Sequence, residues 1–301
     1  LATLRKNTFD DKAEMKVAGN LREERVTTMS GNALAATTGG DPGSPGVVLL
    51  HGGGQTRHSW HHTVRSLVSK GYHAVAYDAR GHGDSDWDTQ ADYELSRFAA
   101  DLRAMVARMR TAPALIGASM GGLTVLHAVG REDPAWASAM VLVDIAPRVN
   151  PTGSKRIIEF MTARPEGFKT IDEAADAVAA YNPHRPRPRD SSGLMKNLRL
   201  REDGRLHWHW DPRIFGSRDF EQAAAEIGEL LQPCGNIKIP SLLVRGQHSD
   251  VVTDESIAEL KTRLPQLEVA TVGGAGHMIA GDRNSAFDCA ILPFLDRHFP
   301  A

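Results

Sequence analysis

Seven short β-branched or apolar runs recur along the chain, and helix-like stretches lie between most of them. The runs are "RVTTM" (25–29), "GVVLLHG" (46–52), "YHAVAYD" (72–78), "ALIGAS" (114–119), "AMVLVDIA" (139–146), "SLLVRG" (241–246) and "LEVATVGG" (267–274). Several are apolar throughout instead of alternating, the pattern of strands covered on both faces. Helical patterning falls at 57–70, 95–110, 120–131, 254–264 and 283–298. Strand and helix in alternation predict an α/β chain: a doubly wound, mostly parallel sheet with helices on both faces. Ligands of such sheets bind beyond the carboxyl ends of the strands, so chemistry is expected just after each run.

One connection breaks the rhythm. A parallel crossover needs about a dozen residues or somewhat more, yet residues 147–240 separate two strand candidates. This stretch contains "YNPHRPRPRD" (181–190) and "LHWHWDP" (206–212). It reads as an inserted, largely helical cap, helical at 154–164 and 171–181 and irregular afterwards. The expected organisation is an N-terminal arm over 1–23, a core over 24–146 and 236–301, and a cap insertion over 147–235.

Inside "LIGASMGGLT" (115–124) a single serine interrupts the apolar pattern, with small residues on both sides. A tight strand-to-helix turn at Ser119 explains them: side chains two positions away would collide, so Gly117 and Gly121 fit where larger residues would not. The Met120 N–H, at the first turn of the following helix, then faces the place where an oxyanion would form. "HGGGQTRHSW" (51–60) follows another strand and supplies a second donor, Gly53 N–H by preference, with Gly54 as the neighbouring alternative. His51 reads as a structural hydrogen-bonder.

A serine hydroxyl needs a base to take its proton, and the base needs an orienting acid. "GQHSD" (246–250) offers Asp250 and "GGAGH" (273–277) offers His277, in the chain order Ser119, Asp250, His277 expected of this topology. Together "VVLLHGGG", "YDARGHGDSDW", "GASMGG", "RGQHSDVV" and "GAGHM" resemble the α/β-hydrolase superfamily, in its capped esterase and carbon–carbon hydrolase branches, over about residues 25–298. Ser119 stands where epoxide hydrolases and haloalkane dehalogenases carry aspartate. Gly54 stands where cofactor-free haloperoxidases usually carry proline. The HGGG string is shared with the hormone-sensitive-lipase branch only locally, because the cap here lies between strands.

The resemblance implies a metal-free carboxylesterase-type enzyme that needs no cofactor and takes a small or medium ester and water. Cleavage of a carbon–carbon bond or a lactone by the same triad is the chemical alternative, and a ligand receptor on the same sheet is the alternative of another class. Asp144 is a rival acid, because a few relatives place the carboxylate after the strand equivalent to 139–146; His248 is a rival base. Asp78 is expected to support its loop with Arg80 and His82. Substrate contacts are expected from Gly54, Phe160, Met161, Trp208 and Trp210, the tryptophans either lining or packing the cap. His207, His209 and Asp211 match part of a two-metal ligand run, but Pro212 breaks it and no metal is expected. The arginines of "RPRPR" (185–189) read as a solvated loop.

Composition narrows partners and placement. A formal charge of −2, with 35 Lys+Arg against 37 Asp+Glu, offers no basic surplus for nucleic acid or an anionic membrane. Cys234 and Cys289 are too few for a disulfide framework. No run of about 18 apolar residues marks a membrane span. Cytoplasmic placement is the default expectation, with room for a removed leader because the chain starts at Leu1. Oligomeric state is left open.

Overall fold

In a computed structural model, residues 21–182, 187, 189–216, 220–279 and 284–301 are described, so most of the N-terminal arm and Arg185 of the arginine cluster lie outside them. The chain opens with the hairpin β1 (Arg22–Thr27) and β2 (Ala33–Gly39), then β3 (Gly46–Leu50), α1 (His61–Ser69) and β4 (His73–Tyr77). Next come α2 (Leu95–Val106), β5 (Ala114–Ala118), α3 (Met120–His127) and β6 (Ala139–Val143).

After β6 the chain leaves the sheet. It forms α4 (Pro151–Thr162), α5 (Ile171–Tyr181), the short strands β7 (Leu198–Leu200) and β8 (Leu206–Trp208), α6 (Arg213–Gly216) and α7 (Phe220–Gly228). It then returns as β9 (Ser241–Gly246), α8 (Asp254–Arg263), β10 (Leu267–Val272) and α9 (Asn284–His298). The strand order is β1-β2-β4-β3-β5-β6-β9-β10. All neighbours from β4 onward are parallel, while β2 runs antiparallel to β1 and to β4.

The apolar strands are covered on both faces. Val48, Leu50 and Leu115 pack with Leu102 and Met105 of α2, Val125 of α3 and Leu260 of α8. Their neighbours Val47, Leu49 and Ile116 point the other way, onto Val64 and Leu67 of α1 and Phe287, Ile291 and Phe294 of α9. Burying every residue of β3, β5 and β6 removes the period-two polarity that a one-faced sheet would show.

The inserted segment has an apolar cluster of its own. Met161, Phe168, Ala174, Leu198, Trp208, Trp210 and Ile214 pack there with Ala79, Tyr93 and Phe98 from the loop after β4 and from α2. Local chemistry starts its helices: Pro151 opens α4 behind an Asn150 side chain that accepts from Thr152 N–H, and the Thr170 hydroxyl accepts from Glu173 N–H ahead of α5. Leu230, Cys234 and Ile237 already belong to the main core, so the chain rejoins the sheet domain just after α7.

Two local readings are corrected. Thr28 and Met29 belong to the β1–β2 turn, closed by Thr28 N–H donating to Asn32 O at 2.8 Å. The stretch 206–212, read as irregular, begins as β8 paired antiparallel to β7. Among the described residues no helix is long and apolar enough to cross a membrane.

Candidate active site

Ser119 joins β5 to α3 with φ +46° and ψ −114°, a conformation that L-residues rarely adopt. The surrounding glycines are there for space. A Cβ on Gly117 would stand 2.5 Å from Gly121 O, and one on Gly121 would stand 2.5 Å from Leu50 O and 2.8 Å from His51 O. These neighbours are main chain and cannot rotate away. Gly121→Ala is therefore expected to cost about 1–3 kcal/mol or more and to displace Ser119, so both the unfolding midpoint and turnover should fall together.

His277 approaches from the loop after β10, with Nε2 3.2 Å from Ser119 Oγ. Its Nδ1 lies 2.8 Å from Asp144 Oδ2. The acid facing the imidazole is thus Asp144, not the favoured Asp250. Asp144 sits just past β6 at φ +50°, its carboxylate wholly buried. Oδ1 accepts from Gly246 N–H at 2.9 Å and Oδ2 from the Ser249 hydroxyl at 2.6 Å, so a buried charge is surrounded by donors.

Asp250 is turned away by the geometry of its own loop. Ser249 N–H donates to Gly246 O at 3.1 Å, a tight turn that brings the Ser249 hydroxyl inward onto Asp144. Asp250 then pairs with Arg156 of α4 at 2.8 Å, both side chains partly exposed. A Cβ on Gly153 would collide with Asp250 O, so α4 rests closely on this loop. Among the described residues both ring nitrogens of His277 are engaged elsewhere, by Asp144 and Ser119.

Beside Ser119 lies a cavity of about 260 Å³ whose wall includes Gly53, Gly54, Met120, Phe160 and Met161. Met120 N–H opens α3, where the first amides of a helix have no acceptor within it. The chain is similar over residues 45–283 to the model of the alpha/beta hydrolase fold family. It is 31% identical over 289 residues to Esterase Rv0045c of Mycobacterium tuberculosis, covering 93% of this chain and 91% of that protein. The chain belongs to the α/β-hydrolase family.

A solved structure of the M. tuberculosis esterase superposes with a TM-score of 0.72 at 29% identity, covering 92% of each chain. A 3-hydroxybutyrate-oligomer hydrolase of Cupriavidus necator is 29% identical over 251 residues, 79% of this chain and 84% of that one. In fold alone, E-2-(acetamidomethylene)succinate hydrolase is also similar, with a TM-score of 0.79 at 22% identity over 92% of this chain and 100% of that one.

In this α/β-hydrolase the two tryptophans do not line the cavity. Trp208 and Trp210 stack on each other, centroids 4.9 Å apart and planes 12° apart, and are buried within the inserted segment. Trp210 packs close to Gly54, where a Cβ would stand 3.2 Å from its ring. The wall also includes Phe215 and Ile214 of α6, Tyr181 of α5, Tyr93 before α2, and Met278 and Ile279 after the imidazole. Nothing in their individual sequence contexts distinguishes them from ordinary core residues.

The "HWHWD" stretch fastens the inserted segment to the hydrolase core. His209 Nδ1 accepts from Gly83 N–H at 2.7 Å, so its proton sits on Nε2, which donates to Gly54 O at 3.2 Å. Asp211 accepts from the Tyr93 hydroxyl at 2.6 Å and from the Arg213 guanidinium, while His207 pairs with Asp203 at 2.7 Å. Among the described residues no group of three His, Cys, Asp or Glu is placed to hold a metal ion. Arg187 is engaged by Asp172 and Asp176 on α5.

Asp78 does support its loop, but through Arg57: it accepts from Arg57 N–H at 2.6 Å, from the Arg57 guanidinium, and from Asp84 N–H at 2.9 Å. Arg80 instead grips Asp101 at 2.7 and 2.8 Å. His51 spans two loops, its Nε2 accepting from Ala79 N–H at 2.9 Å and its Nδ1–H donating to Gly52 O at 2.8 Å.

Burial pushes the His209 imidazole down to about 3 from its ordinary 6.5. Between those values the unfolded imidazole binds a proton and the folded one does not, so stability falls as the solution is acidified below about pH 6.5. The slope from this one group approaches about 1.4 kcal/mol per pH unit. Wild type should therefore lose more stability than His209→Gln between pH 7 and pH 5, as read from urea unfolding at each pH. Equal losses would remove His209 as the cause.

Proposed function

We propose that this α/β-hydrolase is a serine hydrolase that cleaves a small or medium carboxylic ester through an acyl-serine intermediate. The observation that carries the reading is the continuous hydrogen-bonded chain from Ser119 Oγ through His277 to the buried Asp144 carboxylate. His277 Nε2 takes the hydroxyl proton as Ser119 Oγ attacks the ester carbonyl, while Asp144 holds Nδ1–H and balances the imidazolium. The amides of Met120 and Gly53 stabilise the tetrahedral oxyanion. His277 then protonates the departing alkoxide, leaving the acyl group on Ser119. A water that gives its proton to His277 attacks the acyl-serine and releases the acid.

The apolar wall from Phe160, Met161, Phe215 and Ile214 favours an uncharged acyl or alcohol portion, and a cavity of about 260 Å³ limits its size. The esterase and the 3-hydroxybutyrate-oligomer hydrolase among the relatives support an ester over other carbonyl substrates. The test is steady-state hydrolysis of a series of aryl esters of increasing acyl length. Repeated turnover that peaks at short or medium chains is expected. Stoichiometric binding without turnover, or cleavage confined to carbon–carbon bonds, would overturn the reading.

A further inference from the structure

The loop that supplies Gly53 is held from two sides, and one of them is the inserted segment. Gly52 N–H donates to Gln55 Oε1 at 3.0 Å. Gly52 O accepts from His51 Nδ1–H at 2.8 Å and from Gln55 N–H at 3.1 Å. Gly52 O and Gly53 N–H belong to one trans peptide and lie on its opposite edges, so fixing the oxygen fixes the aim of the amide. The Gln55 N–H that holds Gly52 O shares its peptide with Gly54 O, which accepts from His209 Nε2–H at 3.2 Å.

Gly53 and Gly54 are also packed against the inserted segment, a Cβ on Gly53 standing 3.1 Å from the Phe215 ring. At φ +72° Gly54 adopts a glycine conformation, and a Cβ there would stand 2.6 Å from Met161 Sδ and 3.2 Å from the Trp210 ring. The His209 ring is itself fixed: Gly83 N–H holds Nδ1 at 2.7 Å, and Trp210 meets it edge to face at 5.3 Å. Its tautomer is set by that amide, which leaves Nε2–H as the ring's donor to Gly54 O.

We propose that His209 is a positioning residue for the oxyanion hole: an imidazole supplied by the inserted segment holds Gly54 O, and through the Gln55 N–H of the same peptide steadies Gly52 O and the aim of Gly53 N–H. The inference rests on the assignment of Gly53 as an oxyanion donor in the serine hydrolase reading. It makes the hole a joint product of core and cap, complete only while the segment carrying His209 is seated on the loop.

Two substitutions separate this role from simple fastening. His209→Asn keeps an acceptor near Nδ1 for Gly83 N–H and loses the donor to Gly54 O. His209→Gln keeps a donor near Nε2 and loses the acceptor for Gly83. With an aryl ester, His209→Asn is expected to lower kcat by roughly 10-fold or more with KM little changed, a fraction of the loss on removing an oxyanion donor outright. His209→Gln should recover most of that loss even if its melting temperature is lower. Amide exchange over residues 51–57 should quicken in the Asn variant and stay near wild type in the Gln variant.

Equal losses of kcat in both variants, in step with stability, would reduce His209 to a fastener and overturn the proposal, as would a fully active Asn variant with unchanged exchange. If wild type itself turns over no ester, the serine hydrolase reading fails. The exchange comparison then still decides whether His209 holds the loop.

Discussion

Replacing Ser119 with alanine is expected to lower kcat for an aryl ester by about 10⁴-fold or more, with the fold intact. Alanine keeps the Cβ and meets the same backbone demand at φ +46°, so the variant removes the hydroxyl alone. Among the described residues of the cavity wall, Ser119 is the hydroxyl within reach of an imidazole: His277 Nε2 lies 3.2 Å from Ser119 Oγ. The residual rate should come from the oxyanion donors acting on attack by water, and KM should change far less than kcat. Circular dichroism and a thermal melt of the variant check that the loss is chemical.

The second large effect separates the two candidate acids. Asp144→Asn should cost about 10⁴-fold in kcat, because an amide side chain favours the wrong imidazole tautomer and cannot balance the imidazolium. Its oxygen can still accept from Gly246 N–H, so much of the local structure should survive. Asp250→Asn should leave kcat within a few-fold of wild type, since Asp250 faces Arg156 across a partly exposed pair, worth about 0–1 kcal/mol. The reverse order of effects would restore Asp250 as the acid and refute the geometry around Asp144.

The sheet was readable because burial on both faces leaves uninterrupted apolar runs, as in β3 and β5, and long helical patterns between them. β2 escaped detection: its sequence "ALAATTG" has little apolar bulk, and its strand state comes from pairing between β1 and β4. Ser119 was legible because a crowded elbow forces small residues onto its neighbours, a constraint written locally. His277 followed from a short glycine-rich strand end.

The acid was not local in this sense. Two strand ends each offer an aspartate, and the choice depends on a turn from Gly246 to Ser249 that carries Ser249 inward and Asp250 outward. In "VLVDIA" nothing reveals that Asp144 departs from the strand at φ +50°. For Trp208 and Trp210 the sequence left lining and packing of the cap both open, and they pack. The pairing of Trp208 with Leu198 of β7 and its packing against Phe168 are what decide this, and both partners lie outside its local pattern. His209 was equally opaque, since its two partners lie 126 and 155 residues away along the chain.

The proton chain through Ser119 is tested most directly by an organophosphate that carries a good leaving group, with intact mass and peptide mapping after reaction. One phosphoryl adduct per chain on Ser119, formed with loss of ester turnover and slowed strongly by His277→Ala, is the predicted result. Full turnover with Ser119 unmodified, or an adduct on another residue that alone abolishes activity, would contradict it.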